Sequence, residues 1–362
     1  MGERALVGFW HRWFGGAWSS PPHRVPDSAR AARVRKPAPR AVRDAAAADE
    51  LQLILLSRFL KGRSADDVPG HWTELLSESP HTIVLRYIKH GDLVRLPIAR
   101  IVEHCCKVPE LKQHLKARAL KTGGNKQQLA ERLVAADEAA MSSLYGARTI
   151  VECSPETRIR VEKYLAEKRR EYAQLLVDAE AALRARDFAK ASDLVGEYES
   201  KQLRTDPPNP MAIPADPRDA SVDAAALKKI FAFRPKLLRA LPETDWEPLH
   251  VVAGLNYLLG GRVSGEALPA DFVGLPHLDR HTIARMMHFG FKHLQDLERI
   301  RSIGVREAEI MTCGLDSCEP CRKLAGRRFR LEHLPELPYE HCTCEVGCRC
   351  LITAVIPGLE RR

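Results

Sequence analysis

Apolar residues in this chain recur mostly three and four positions apart, in blocks separated by glycine, proline and charged turns, which is the period of a helix with one buried face. The first block, LQLILLSRFL from Leu51, reads as a short buried helix, so ordered structure is expected to begin near Glu50. TIVLRYIKHGDLVRLP from Thr82 leads on to a set of small helices. From Glu156 to Leu203 the same period runs through many charges, and Ala185-Arg186-Asp187 offers a turn, predicting two long antiparallel helices. TDPPNPMAIPADP at 205–217 carries five prolines and cannot be helical, because proline lacks the amide donor and clashes with the preceding turn. Helix returns over 221–300, and VREAEIMTC at 305–313 looks like a strand entering the cysteine-rich end.

This pattern predicts a mainly α, multidomain chain. Its expected parts are a basic disordered tail (1–48), a helical domain (49–145), a helical hairpin (155–204) and a Pro-rich linker (205–220). A second helical domain (221–305) and a small Cys-rich α+β module (306–356) follow. Most of residues 15–48 are Pro, Ala, Arg and Ser, with too little to bury to offset the entropy of ordering them.

Charge sharpens the picture. The net charge is +9, and the excess sits in two places: nine Lys or Arg against three acids from Met1 to Ala48, and seven against two from Lys107 to Leu133. Such a balance favours polyanionic partners. No run of about 18 apolar residues exists to span a bilayer. GFWHRWFGGAW near the start lacks the continuous apolar core of a secretory signal, so a cytoplasmic location is expected, where thiols stay reduced.

Within the second basic segment, KVPELKQHLKARALKTGGNKQQLAERL (107–133), Leu111, Leu115 and Leu120 form one apolar stripe. Leu129 and Leu133 lie four apart on a second helix, so two short helices can close on each other. Between them, residues 121–126 supply a glycine turn in which Asn125 can cap the second helix. That arrangement sets backbone amides at a helix N-terminus among cations, a site that attracts phosphate largely without reading sequence. The segment resembles a SAP motif, the small helix-turn-helix module of chromatin and DNA-repair proteins. The resemblance implies binding of double-stranded DNA, and sometimes RNA, through Lys112, Lys116, Arg118, Lys121, Thr122, Gly123, Gly124, Lys126 and Arg132. Ala119 departs from the pattern, since the family generally has glycine there, and strain at the first helix's C-cap is expected. Residues 90–106 are expected to brace the hairpin, with Cys105 and Cys106 as small buried hydrophobes.

Seven of the ten cysteines fall between Cys313 and Cys350, as a CxxC followed by HCTCEVGCRC. Thiolates at that spacing suit a tetrahedral zinc ion, one chelating turn supplying two soft ligands and a second closing the site. The expected ligands of one structural Zn2+ are Cys318, Cys321, Cys342 and Cys348, with Cys350, Cys344 and His341 as alternates and Cys313 in reserve. One ion is preferred to two because crowding further thiolates into one shell costs repulsion. The segment from Glu309 to Cys350 also resembles the C-terminal part of Mu-type phage head-morphogenesis proteins, in its CxxC, its Leu324 to Phe329 strand, its proline-marked loop at Leu334 to Pro338 and its closing Cys348-Arg349-Cys350. A prophage-related origin is what this resemblance implies. Tyr339 and the inserted HCTCEVG depart from it. Arg322, Lys323, Arg327, Arg328 and Arg330 are nearly balanced by nearby glutamates, so the module is as open to a protein partner as to nucleic acid.

Catalysis is not expected. A closed tetrathiolate leaves no position for water. No P-loop and no GxSxG elbow occurs, and no acidic cluster suited to magnesium is visible. His277, Asp279, His281, His288 and His293 lie close in sequence, but His288 keeps company with Phe289, Phe291 and Leu294 and reads as packed. The chain is therefore read as a non-catalytic nucleic-acid-binding protein. The alternatives are a phage-derived assembly protein and a nuclease or other DNA-processing enzyme.

Overall fold

The structure is a computed structural model, and it describes residues 45–203, 205, 218–261, 263 and 265–356. The expected tail lies almost wholly outside the described residues, as does most of the expected linker. Helix α1 (Ala45–Ser57) starts a few residues before Glu50. It is followed by β1 (Arg63–Ser64), α2 (Trp72–Leu76), α3 (Pro80–His90), β2 (Leu93–Arg95), α4 (Ile98–Cys105), α5 (Val108–Ala117), α6 (Lys126–Ala136), α7 (Glu138–Tyr145) and β3 (Ile150–Cys153). These strands form an antiparallel sheet of order β1-β3-β2, with Val94 opposite Glu152. The hydrophobic pattern alone predicts helices here. Gly91, left-handed at φ 81°, caps α3 and turns the chain into β2, a strand too short to carry its own periodicity.

A core of Leu55, Leu56, Phe59, Trp72, Ile83, Val84 and Val151 holds this sheet against α1 and α3. Helix α8 (Pro155–Arg184) opens with Ser154 accepting from the Thr157 amide and Pro155 in its first turn, where a missing N–H costs nothing. Its first half adds Val161 to that core, and Tyr164 and Lys168 both bond to Glu50. Its second half, through Leu175, Ala179, Ala182 and Leu183, belongs to a second and larger core. The two long helices are present: α9 (Phe188–Lys201) turns back after Ala185-Arg186-Asp187, with Asp187 capping it. A single unbroken helix therefore carries the chain from one core into the next.

Beyond residue 218 come α10 (Ala220–Ala232), the well-buried α11 (Glu243–Leu258) and α12 (Arg280–Ser302). Strand β4 (Glu307–Met311) forms where VREAEIMTC predicts it. With the one-turn helix α13 (Glu319–Arg322), β5 (Arg328–Arg330) and β6 (Leu351–Ala354), it completes a second antiparallel sheet of order β5-β4-β6. Cys321, Cys342, Cys348 and Cys350 are part of the larger core and not an appendage to it. Gly347 shows why: at φ 73° it lies so close to α12 that a Cβ would stand 2.8 Å from Met286 Sδ. Among the described residues, no helix is long and apolar enough to cross a membrane.

Candidate nucleic-acid interface and cysteine cluster

Helices α5 and α6 close on one another through Leu111, Leu115, Leu129 and Leu133, all fully buried. Val102 and Cys106 from the α4 side and Met141 from α7 complete this core. The bracing expected of residues 90–106 is thus supplied by α4, and α7 adds a wall that the sequence pattern does not announce. Cys106 donates from Sγ to Tyr145 Oη at 3.2 Å, and this bond, then burial, pushes the tyrosine up to about 12. Both cysteines of the pair take structural roles, Cys105 packing beside Leu96, Ile101 and Ile150.

The turn between the helices is built by three devices. Asn125 Oδ1 accepts from the Gln128 amide at 3.0 Å, and Gln128 Oε1 accepts from the Asn125 amide at 3.1 Å, a reciprocal capping box. Arg132 Nη1 donates to the carbonyls of Lys121 at 2.7 Å and Gly123 at 2.9 Å. Gly124 takes φ 120°, open to glycine at no steric cost. Gly123 and Gly124 are exposed, as are Lys112, Lys116 and Lys121, and Lys126 is half-buried. Among the described residues these four lysines form no ion pair, and the first-turn amides of Lys126 and Gln127 have no acceptor.

Two of the expected phosphate ligands serve the fold. Arg118 donates through Nε at 3.0 Å and Nη2 at 2.8 Å to Asp137 Oδ2 and through Nη1 to the His114 carbonyl, so its charge is spent internally. Asp137 also caps α7 through the Ala140 amide, and Arg118, then that amide, holds its carboxyl below the usual carboxylate range. Arg132 is the turn's brace. Asp137 is the partner that sequence reasoning missed, 19 residues from Arg118. Ala119 adopts φ 53°, the left-handed conformation that glycine would take without strain. Its amide bonds to the Lys116 carbonyl and the Leu120 amide to the Leu115 carbonyl, the paired bonds of a Schellman cap.

At the other end, six thiols converge from three short elements. The Sγ atoms of Cys318, Cys321 and Cys342 lie within 4.8 Å of one another, and so do those of Cys321, Cys348 and Cys350. The expected quartet is thereby divided: Cys348 sits outside the first group and reaches it through a hydrogen bond with Cys342. Cys344 joins through the Cys318 amide, 3.2 Å from its Sγ. His341 is exposed and stacks edge-on against Tyr339, and Cys313 is exposed; neither enters the groups.

Backbone amides already point at these sulfurs, Thr343 to Cys318 at 3.4 Å and Tyr339 to Cys348 at 3.3 Å. Burial pushes the Cys318 thiol up, but the Thr343 and Cys321 amides and the Cys321 and Cys344 thiols outweigh it and leave it at about 6. Burial drives Cys321 well above the usual thiol range, with Cys348 adding to it, and pushes Cys344 up to about 11. The bond with Cys348, then burial, raises Cys342 strongly. Thiols packed this closely oppose one another's ionisation unless a cation shares the site. The donor set fits such an ion: four sulfurs at about 2.3 Å from a tetrahedral metal stand about 3.8 Å apart, and Cys318 and Cys342 are separated by 3.8 Å.

Among the described residues, Asp279 and the histidines near it are not in any group of three close metal-ligating side chains. Asp279 caps α12 through Thr282, and His293 donates from Nε2 to the Cys350 carbonyl, 3.0 Å away.

The SAP domain family matches residues 107–138. The matched span ends one residue past Asp137, so it includes the salt bridge that closes the hairpin on α7. No curated protein and no solved structure matches the chain. The SAP match suggests nucleic-acid binding, whereas the phage head-morphogenesis resemblance and a protein partner for the cysteine-rich end receive no support from these comparisons.

Proposed function

We propose that this protein binds the sugar-phosphate backbone of double-stranded DNA through the α5–α6 turn, without catalysing a reaction on it, and that a structural zinc site holds its C-terminal end. The observation that carries the first part is the turn at 121–126 with its exposed glycines: Lys121 and Lys126 there, and Lys112 and Lys116 on α5, stand among the described residues without ion pairs, beside the unpaired amides of Lys126 and Gln127. An anion there gains both the lysine charges and the helix dipole. Arg118 and Arg132 shape the surface and do not contribute charge to it in the same way. Four lysines on phosphate correspond to an affinity loss of roughly 100-fold between about 50 and 200 mM salt. Zinc reads from the all-thiolate donor set, and its role there is to tie α13 and the two CxC loops to α12.

Titration of duplex DNA and of RNA with the full chain at two salt concentrations tests the nucleic-acid part. Changing the four lysines to glutamate is expected to lower affinity at least 100-fold and flatten the salt dependence. Affinity that survives those changes, or that ignores salt, sinks the reading.

A further inference from the structure

The geometry points to a two-ion thiolate cluster in place of a single tetrathiolate: we infer that Cys318, Cys344, Cys321 and Cys342 surround one divalent ion, that Cys348, Cys350, Cys321 and Cys342 surround a second, and that Cys321 and Cys342 bridge the two. This rests on the reading of the cluster as a metal site.

A single ion has four corners, yet the two close thiol groups share only Cys321 and together hold five sulfurs. Cys344 is the sixth, hydrogen-bonded to Cys318 and to Cys342. The links among the six follow the two shells. Cys318 touches Cys321, Cys342 and Cys344. Cys350 touches Cys321 and Cys348, and Cys348 touches Cys342. Cys321 and Cys342 contact each other, and each reaches into both shells, Cys321 to Cys318 and Cys350 and Cys342 to Cys318, Cys344 and Cys348, as a bridging sulfur must. The count closes as well, because eight corners are filled by four terminal and two bridging sulfurs.

Chain geometry supplies the six in pairs. The CxxC at the start of α13 gives one terminal ligand and one bridge, Cys342-Thr343-Cys344 gives another of each, and Cys348-Arg349-Cys350 gives the two terminal ligands of the second ion. Six thiolates on two divalent ions leave an excess of two negative charges. Amide donors meet that excess: Thr343 on Cys318, Cys318 on Cys344 and Tyr339 on Cys348. Bridging also removes the repulsion that argues for one ion, since each shared sulfur is neutralised from two sides.

Native mass spectrometry of the full chain, reduced and reconstituted with zinc alone, is expected to show two ions per chain. Substitution with cadmium-113 is expected to give two resonances in the all-thiolate range, split by each other through the shared sulfurs. Cys350→Ser and Cys344→Ser are each expected to lower the stoichiometry, and Cys313→Ser to leave it at two. One ion with a single cadmium resonance overturns this inference while the metal site stands; no ion overturns both. The wild-type cadmium spectrum decides even where a serine variant does not fold.

Discussion

The hairpin that matches the SAP family and the cysteine-rich end are both small, and they are stabilised by different physics. In the hairpin, four fully buried leucines and the walls of α4 and α7 make an apolar core, and polar chemistry lies in the caps, the Arg132 brace, the Cys106–Tyr145 bond and one salt bridge. At the other end thiols and His293 are buried among the apolar side chains, the helix α13 has four residues, and both strands beside β4 are short. A region of the first kind keeps its shape in any buffer that keeps its leucines dry. One of the second kind depends on what its sulfurs hold and on proton concentration. The hairpin can therefore spend its surface on cations, whereas the thiol region spends its interior on sulfurs.

Metal removal should separate the two most sharply. Structural zinc carries about 10–16 kcal/mol of apparent binding energy, so chelation under reducing conditions is expected to strip hydrogen-exchange protection from residues 307–354 and to leave 98–145 protected. Equal loss in both regions would break the contrast. Next in size is a cut in the hairpin core. Leu129→Ala empties a fully buried site and is expected to cost about 3 kcal/mol, abolishing DNA binding while metal content, measured by mass spectrometry, stays the same.

Acid should resolve the regions at different pH. Burial holds His250, His288 and His293 below their usual value; Lys292 adds to it at His288, while hydrogen bonds to the Phe233 and Cys350 carbonyls oppose it at His250 and His293. The unfolded chain, with histidines near 6.5, takes up these protons first. Stability of the C-terminal core is thus full above about pH 6.5 and declines as pH falls below it. Asp137 acts in the same sense but at lower pH: its folded carboxyl is depressed, so its contribution is present above about pH 4 and is lost only as pH drops further. Urea unfolding followed by exchange at both regions from pH 7.5 to 4 is expected to show the C-terminal core weakening first.

The smallest effect concerns Ala119. At φ 53° it carries a left-handed strain that glycine lacks, offset in part by glycine's greater freedom when unfolded. Ala119→Gly is expected to raise the hairpin's melting point by an amount worth about 0.5–1 kcal/mol without altering salt dependence. A fall in stability would mean that the cap relaxes in solution.

What sequence alone determined was local. Leu111, Leu115, Leu129 and Leu133, the glycine turn, the Asn125 cap, the strain at Ala119, the α8–α9 turn and strand β4 are all set by neighbours within a few residues, where period and backbone stereochemistry act. The tertiary structure decided everything that depends on distant partners. It gave Arg118 to Asp137 and Arg132 to the turn carbonyls, and paired Arg63 of β1 and Arg95 of β2 with the same distant residue, Val151 of β3. It also sorted the thiols into two groups around Cys321 and packed them on Met286 and His293 of α12. Spacing shows that cysteines can chelate; which sulfurs stand close enough to share an ion is a matter of angles between three loops, and those angles exist only after the core has closed.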